Sequence, residues 1–498
     1  MIDGILQGLQ TAVSLHNLLF LVGGCLAGTL IGMLPGLGPM TAIALMIPIA
    51  AALEPAAGII MMAAVYYGAV FGGSTSSILI NAPGVASTVA TSFDGYPLAR
   101  GGLAGKALAV AAYASFSGAI IAAALLMVAA PSLASLSLSF QSTDYFALMV
   151  LGLVMVAAFT SRQGILKALI MTVIGLMLST IGTDQTQGVP RFTLGVIDLI
   201  DGISFLLLVM ATFALAEALL QILRGATDAQ PQQTLGSLRL RRDEVQDVAP
   251  PITRSSLLGF LIGLLPGAGA TIASFLAYGA EQRIARADQR KLFGQGSLRG
   301  VAAPEAANNA AATGSFVPLL TLGIPGSGTT AILLGAFIAY GIQPGPMLYV
   351  NEPELFWAVI VSMWIGNVVL LILNLPLIPY IARVLSLPRH YLLPMILFLS
   401  MLGVYFVSFN TFDLYLMVLF GASAVLFRLL DFPMAPMILG FILGGLIEEN
   451  LTRSLLIWDN SWAFLWSRPL TAALVALTLA VLCAPLLQRL LGWRKPRQ

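Results

Sequence analysis

A carboxylate and two adjacent amides, Glu305, Asn308 and Asn309, stand within residues 300–330, GVAAPEAANNAAATGSFVPLLTLGIPGSGTT, in a sequence that is otherwise largely hydrocarbon. With Pro304, Pro318, Pro325 and a Gly/Ser/Thr terminus, these groups would be costly facing lipid, so they are expected to line a protein cavity or a solute site. Residues 66–84, YYGAVFGGSTSSILINAPG, likewise pack small and hydroxyl residues into an apolar context and break at Pro83-Gly84. Neither broken segment contains a lysine or arginine. An anion there would be held by half-helix N-termini, which present free N–H groups and a positive dipole end. The candidate substrate residues are the hydroxyls of Ser74, Thr75, Ser76, Ser87, Thr88, Ser327, Thr329 and Thr330, the amide of Asn81, and the turns at Gly84 and Gly326. Unwound carbonyls at Gly36, Gly38, Gly267 and Gly269 would suit a sodium ion, with Asn308 and Asn309 completing its shell. Glu305 would either serve the coupling ion or stand as a neutral, hydrogen-bonded strut.

The elements that position these groups come in two matching sets. Gly263-Leu264-Leu265-Pro266-Gly267-Ala268-Gly269 repeats residues 32–38 at an offset of 231, and Ile324-Pro325-Gly326 repeats Ala82-Pro83-Gly84 at an offset of 242. Interrupted apolar segments at corresponding places in two halves point to the binding site of a secondary transporter. The connection after the first glycine motif carries Glu54 and no Lys or Arg, whereas the one after the second carries Arg283, Arg286, Arg290, Lys291 and Arg299. By the positive-inside rule the halves have opposite orientation, an inverted-topology repeat. Residues 1–223 form the first membrane repeat, 224–254 a cytoplasmic linker, and 255–498 the second repeat with C-terminal scaffold helices from residue 356 onward. Arms 255–265 and 271–279 are each too short to cross a bilayer of about 30 Å, which predicts a re-entrant hairpin with its tip at residues 266–269.

Composition sets the class. With 58% hydrophobic and 9% charged residues over 498 positions, the chain cannot cover a globular surface, so it is a polytopic all-α membrane protein. Apolar segments at residues 108–130, 145–160, 203–223, 356–375 and 470–487 are among some 10–12 expected transmembrane helices, with re-entrant hairpins in the two repeats. The N-terminus lacks the positive region of a secretory signal, so the first helix is expected to stay. A net charge of +2, spread among loops, argues against a nucleic-acid partner. Cys25 and Cys483 read as small buried hydrophobes, Trp357, Trp364, Trp458, Trp462 and Trp466 as an interface belt, and His16 and His390 as packing residues. Residues 323–330 match the spacing of a phosphate loop, but Thr329 stands where that motif needs lysine. With no evident nucleophile–base pair or metal cluster, an enzyme is not expected.

The motifs GMLPGLGPMTAIAL, YYGAVFGGSTSSILINAPG, DGYPLARGG, GLLPGAGATIASFLAYGAEQR, GVAAPEAANNAAATGSFVPLLTLGIPGSGTTAILLGAF and GIQPGPML resemble the signatures of the large membrane subunit of the tripartite tricarboxylate transporter family. The likeness spans residues 15–350. It implies a bacterial inner-membrane secondary transporter driven by a cation gradient, fed by a periplasmic solute-binding protein and accompanied by a small membrane subunit. Members import citrate and other di- or tricarboxylates, and some take other organic anions. The expected function is therefore sodium- or proton-coupled import of an organic anion by alternating access, with an elevator motion of the hairpins. An ion or anion channel built on the same broken helices is the alternative. No organic cofactor is expected, only the coupling ion.

Overall fold

Proline and glycine decide where the helices stop. The computed structural model describes residues 2–34, 36–160, 165–184, 188–225, 235–267, 269–383 and 389–490. Helix α1 (Ile2–Val13) is followed by α2 (Leu15–Met33), whose Ser14 cap accepts the Asn17 N–H. Then come α3 (Gly38–Ala51), α4 (Pro55–Ile80), α5 (Val89–Leu98), α6 (Ala104–Ser137), α7 (Ser142–Thr160), α8 (Ile165–Ser179) and α9 (Phe205–Leu223). The second half of the chain gives α10 (Arg242–Gly263), α11 (Gly269–Ile284), α12 (Leu298–Gly314), α13 (Phe316–Leu322), α14 (Gly328–Ala339), α15 (Pro353–Asn374), α16 (Arg389–Ser408), α17 (Thr411–Leu429), α18 (Ala435–Ile457) and α19 (Pro469–Leu490). Among the described residues the strands are β1 (Gly182–Thr183) and β2 (Pro190–Arg191), antiparallel with Gly182 opposite Arg191. Seven helices of the described residues are long and apolar enough to cross a membrane, and five more are apolar but shorter. The chain is an all-α polytopic membrane protein.

Two compact units divide the chain, and each takes residues from both sequence halves. The larger comprises Met1–Ser135 and Leu206–Val425, the smaller Leu136–Phe205 and Leu426–Gln498. The stretch from residue 356 onward, read as one scaffold, is therefore split at residue 425. In the larger unit a stripe of glycines brings helices into backbone contact. A Cβ at Gly28 or Gly32 of α2 would run into the carbonyls of Val65 or Ala69 of α4, and one at Gly259 or Gly263 of α10 into those of Ala307 or Ala311 of α12. Such close approach replaces the hydrophobic drive that lipid cannot supply. The glycines are 231 residues apart and the carbonyls 242, so the packing recurs at the two offsets read from the sequence. In the smaller unit α8 and α18 pack the same way, with Gly175 against the Met437 carbonyl and Gly440 against that of Thr172. Asp144, fully buried at the start of α7, accepts from Thr471 at 2.6 Å and pairs with Arg468 at 3.2 Å.

Several expectations shift. The linker contains the first turns of α10: Asp243 and Glu244 face the positive helix end, and Glu244 Oε2 accepts the Arg241 N–H at 2.8 Å. Burial raises the Glu244 carboxyl, but that N–H and the Lys106 ammonium 2.5 Å away outweigh it and hold the group below the usual carboxylate range. At 22 residues α10 extends roughly 33 Å, so length alone no longer makes this arm re-entrant. Trp357 is no belt residue: it is 2% exposed, its indole lying against Gly4 and its backbone against Gly8 of α1, because glycines there leave room for it. Trp458, Trp462 and Trp466 are exposed. Cys25 is buried, but Cys483 lies on the outer surface of α19, where an apolar thiol can face lipid as readily as core. His16 packs edge-on to Phe20, while the His390 side chain, Pro35, Ala268 and the basic tail at 494–497 lie outside the described residues.

Candidate functional site

The two glycine motifs form matching turns. Gly36 and Gly38 adopt φ of 86° and 59°, Gly267 and Gly269 φ of 81° and 58°, left-handed values that side chains rarely tolerate. Each turn sits on the Pro-Gly break of its own half. The Gly267 N–H donates to the Gly326 carbonyl at 3.0 Å, and a Cβ at Gly326 would press on the Gly263 carbonyl. A Cβ at Gly84 would strike the carbonyl of Gly32, the matching residue. The halves also touch across the breaks, where the Ser274 hydroxyl of α11 donates to the Ser87 carbonyl at 2.6 Å.

Glu305 occupies a different place. It is fully buried on α12, a helix so rich in alanine that α4, α5 and α6 come close to it. Its Oε2 accepts from Ser74 at 2.7 Å, Ser115 at 3.0 Å and, at the long limit of 3.5 Å, the Asn308 amide. Its Oε1 accepts from Thr91 at 2.5 Å. All four donors are neutral. Asn309 donates to the Asn308 Oδ1 at 2.5 Å and the Glu305 carbonyl at 3.0 Å, which locks the pair. A buried carboxylate without a cationic partner costs free energy unless it carries a proton or faces a mobile cation.

The residues singled out in the sequence thus separate by role. Glu305, Asn308, Asn309 and Ser74 converge, whereas Gly36, Gly38, Gly267 and Gly269 form the two turns. Most of the proposed substrate hydroxyls are already engaged. Ser327 and Thr330 cap each other at the start of α14, Ser76 bonds the Gly73 carbonyl, and Thr88 receives the Ser77 hydroxyl at 2.7 Å. Thr329 and Ser327, with Ser315, lie near the Tyr66 hydroxyl. Asn81 is exposed and ends α4 with φ 52°, ψ 31°; its mate 242 residues on, Gly323, ends α13 with φ 68°, ψ 24°. Asparagine tolerates that left-handed conformation, which accounts for the residue type without a ligand.

Sequence reasoning missed Thr91 and Ser115, lone hydroxyls on apolar helices that carry no signal of their own. Asp94 was likewise not singled out. Asp94 is fully buried in α5, where Oδ1 gathers the N–H groups of Gly294, Gly296 and Ser297 at 2.7–2.9 Å and Oδ2 accepts from Tyr278 at 2.9 Å. One carboxylate of the first half thereby fastens the connection leading into α12. Nearby, Glu281 binds Arg254 at 2.8 Å and Arg299 at 3.2 Å, and Arg299 reaches Asp247 at 2.8 Å, so part of the basic connection is neutralised within the fold. Among the described residues there is no group of three or more His, Cys, Asp or Glu able to hold a metal.

Comparison with known proteins names the family of this chain. Residues 18–439 match the model of the tripartite tricarboxylate transporter TctA family. The chain belongs to that family. Two proteins of Agrobacterium vitis are similar to this TctA-family subunit. One, described as an uncharacterized 52.8 kDa protein in the TAR-I ttuC' 3' region, is 42% identical over 491 residues, 98% of this chain and 96% of that protein. The other, an uncharacterized protein in the TAR-II ttuC' 3' region, is 42% identical over 229 residues, 46% of this chain and 94% of that protein. No solved structure matches. As a TctA-family member the chain is a membrane subunit of a tripartite transporter, so it works with partner subunits.

Proposed function

We propose that this subunit imports di- or tricarboxylates or related organic anions by alternating access, drawing on a sodium or proton gradient. In this reading a periplasmic solute-binding protein delivers the anion, a small membrane subunit completes the complex, and the assembly sits in a bacterial inner membrane. The observation that carries it is the recurrence of a glycine turn seated on a Pro-Gly break, at the same two offsets in both halves. Unwound backbone next to a helix N-terminus is how carriers hold an anion at membrane depth without lysine or arginine. At the second break α14 opens with the Ser327–Thr330 capping box, which leaves the N–H groups of Gly328 and Thr329 as candidate donors to a carboxylate. The halves are read as inverted repeats and the transport step as an elevator-like movement of the hairpin-bearing elements.

The test is uptake of radiolabelled citrate and other di- and tricarboxylates into proteoliposomes holding both membrane subunits, with the binding protein outside. We expect saturable uptake that requires an imposed inward sodium or proton gradient. Conductance that does not saturate, or uptake indifferent to both gradients, would overturn the reading in favour of a channel or facilitator.

A further inference from the structure

Three connections of the larger unit are tied into one surface. The Gly105 N–H near the start of α6 donates to the Leu235 carbonyl of the linker, and Lys106 pairs with Glu244 at 2.5 Å. Asp247 of α10 holds Arg299 at 2.8 Å and the Gln289 amide at 3.0 Å, which brings in the connection between α11 and α12. That connection returns to the first through Asp94, whose Oδ1 takes the Gly294, Gly296 and Ser297 N–H groups. Residues 99–106, 235–247 and 281–300 therefore lie side by side.

Charge does not balance on this surface. Its acids are used within the fold: Asp243 by Arg241, Glu244 by Lys106, Asp247 by Arg299, and Glu281 by Arg254 and Arg299. Arg290 is spent on the carbonyls of Gln282, Arg283 and Ala285, where a cation suits the end of α11. Arg100, Arg239, Arg242, Arg283, Arg286 and Lys291 remain, all exposed, and among the described residues none has an acidic partner. The exposed Asp288 is the acid left to set against them.

Apolar side chains are interleaved with these bases. Leu103 is exposed between Arg100 and Lys106, Ile284 between Arg283 and Arg286, and Leu292 beside Lys291. A soluble anion would neutralise the bases and leave this hydrocarbon wet. A molecule that carries a phosphate above acyl chains meets both sets at once.

We propose that this surface binds anionic phospholipid of the cytoplasmic leaflet, with Arg100, Arg283, Arg286 and Lys291 facing headgroup phosphates and Leu103, Ile284 and Leu292 against the upper acyl chains. The surplus of positive charge also sets this face on the cytoplasmic side. Lipid held here bridges connections that come from both halves of the chain, so it stabilises the fold where the halves are fastened. The inference does not depend on the substrate or on the coupling gradient.

The test is thermal unfolding of the purified full-length chain in uncharged detergent, titrated with phosphatidylglycerol, phosphatidylcholine or inorganic phosphate at low and at high salt. We expect saturable stabilisation by phosphatidylglycerol that salt weakens and that the other two do not reproduce. Arg283→Gln, Arg286→Gln and Lys291→Gln combined should raise the midpoint of the lipid titration roughly a hundredfold, at roughly fivefold for each base, the factor that about 1 kcal/mol represents. Ile284→Ser with Leu292→Ser should also raise it while leaving the salt dependence in place. If the triple variant does not run as a monodisperse species, Arg100→Gln with Arg242→Gln carries the decision, with an expected rise of roughly twenty-fivefold. No stabilisation by phosphatidylglycerol, equal stabilisation by phosphatidylcholine, or an unaltered midpoint in the basic or the apolar variants would each overturn the proposal. Stabilisation by inorganic phosphate alone would overturn it too, and would assign the surface to a soluble anion.

Discussion

Replacing Glu305 separates a charge that works from one that only fills space. In Glu305→Ala the hydroxyls of Ser74, Thr91 and Ser115 lose their acceptor inside a fully buried cluster. Each unpaired group costs about 1–3 kcal/mol, so three cost on the order of 3–9 kcal/mol, before any cavity left by the side chain. Glu305→Gln keeps the shape and one acceptor oxygen. That oxygen can take the Ser74 and Ser115 hydroxyls, and the amide can donate to Thr91, whose hydroxyl rotates to accept. The residual loss is the difference between charged and neutral hydrogen bonds, about 1 kcal/mol for each of three, so roughly 3 kcal/mol at most. Thermal unfolding of the purified chain should therefore rank the natural protein first, Glu305→Gln next and Glu305→Ala last. Uptake in proteoliposomes should vanish in both variants, because the Gln variant folds but has no charge to set against a cation. Full uptake by Glu305→Gln would refute the reasoning, and so would a Glu305→Ala variant as stable as the natural protein.

Gly32→Ala and Gly263→Ala should each lower stability by about 1–3 kcal/mol, since the new methyl meets a backbone carbonyl, while Gly23→Ala, with open space around it, should not; equal melting temperatures for all three would discard the backbone-contact account. Single cysteines at Gly267 and at Glu54 should react with an impermeant thiol reagent from opposite sides of the membrane, and labelling of both from the same side would end the inverted-repeat reading.

Backbone features were legible because their cause is local. Proline cannot continue a helix and glycine alone adopts a left-handed φ cheaply, so the turns at Gly36–Gly38 and Gly267–Gly269 follow from residue type, and their recurrence gives the register of the halves. Side-chain roles were not legible, because a hydroxyl can be used up by its neighbours. Ser327 and Thr330 are spent on a capping box that the spacing permits but does not impose, and Ser115 joins Glu305 from 190 residues away. The start of α10 was missed because Pro250 and Pro251 read as loop, although two acidic residues in its first turn mark a helix start.

The matching halves also show where chemistry departs from symmetry. Under the 242-residue offset Glu305 corresponds to Ala63, Asn308 and Asn309 to Tyr66 and Tyr67, and Ser74 to Phe316. The content of the two places differs: Ser74 and Asn308 both donate to Glu305 Oε2, whereas Phe316 meets Tyr66 and Tyr67 with ring centroids 6.0 and 5.6 Å apart. One pseudo-equivalent place is thus a carboxylate cage and the other an aromatic cluster whose Tyr66 hydroxyl lies near Ser315, Ser327 and Thr329 at the second break. Backbone symmetry supplies two comparable breaks, as an anion held between facing helix ends needs. The charge is not repeated at the matching place, where Ala63 stands, so the desolvation cost of this carboxylate arises in one half only. The backbone is therefore paired at the two breaks, while the carboxylate at this packed position stands in the second half alone.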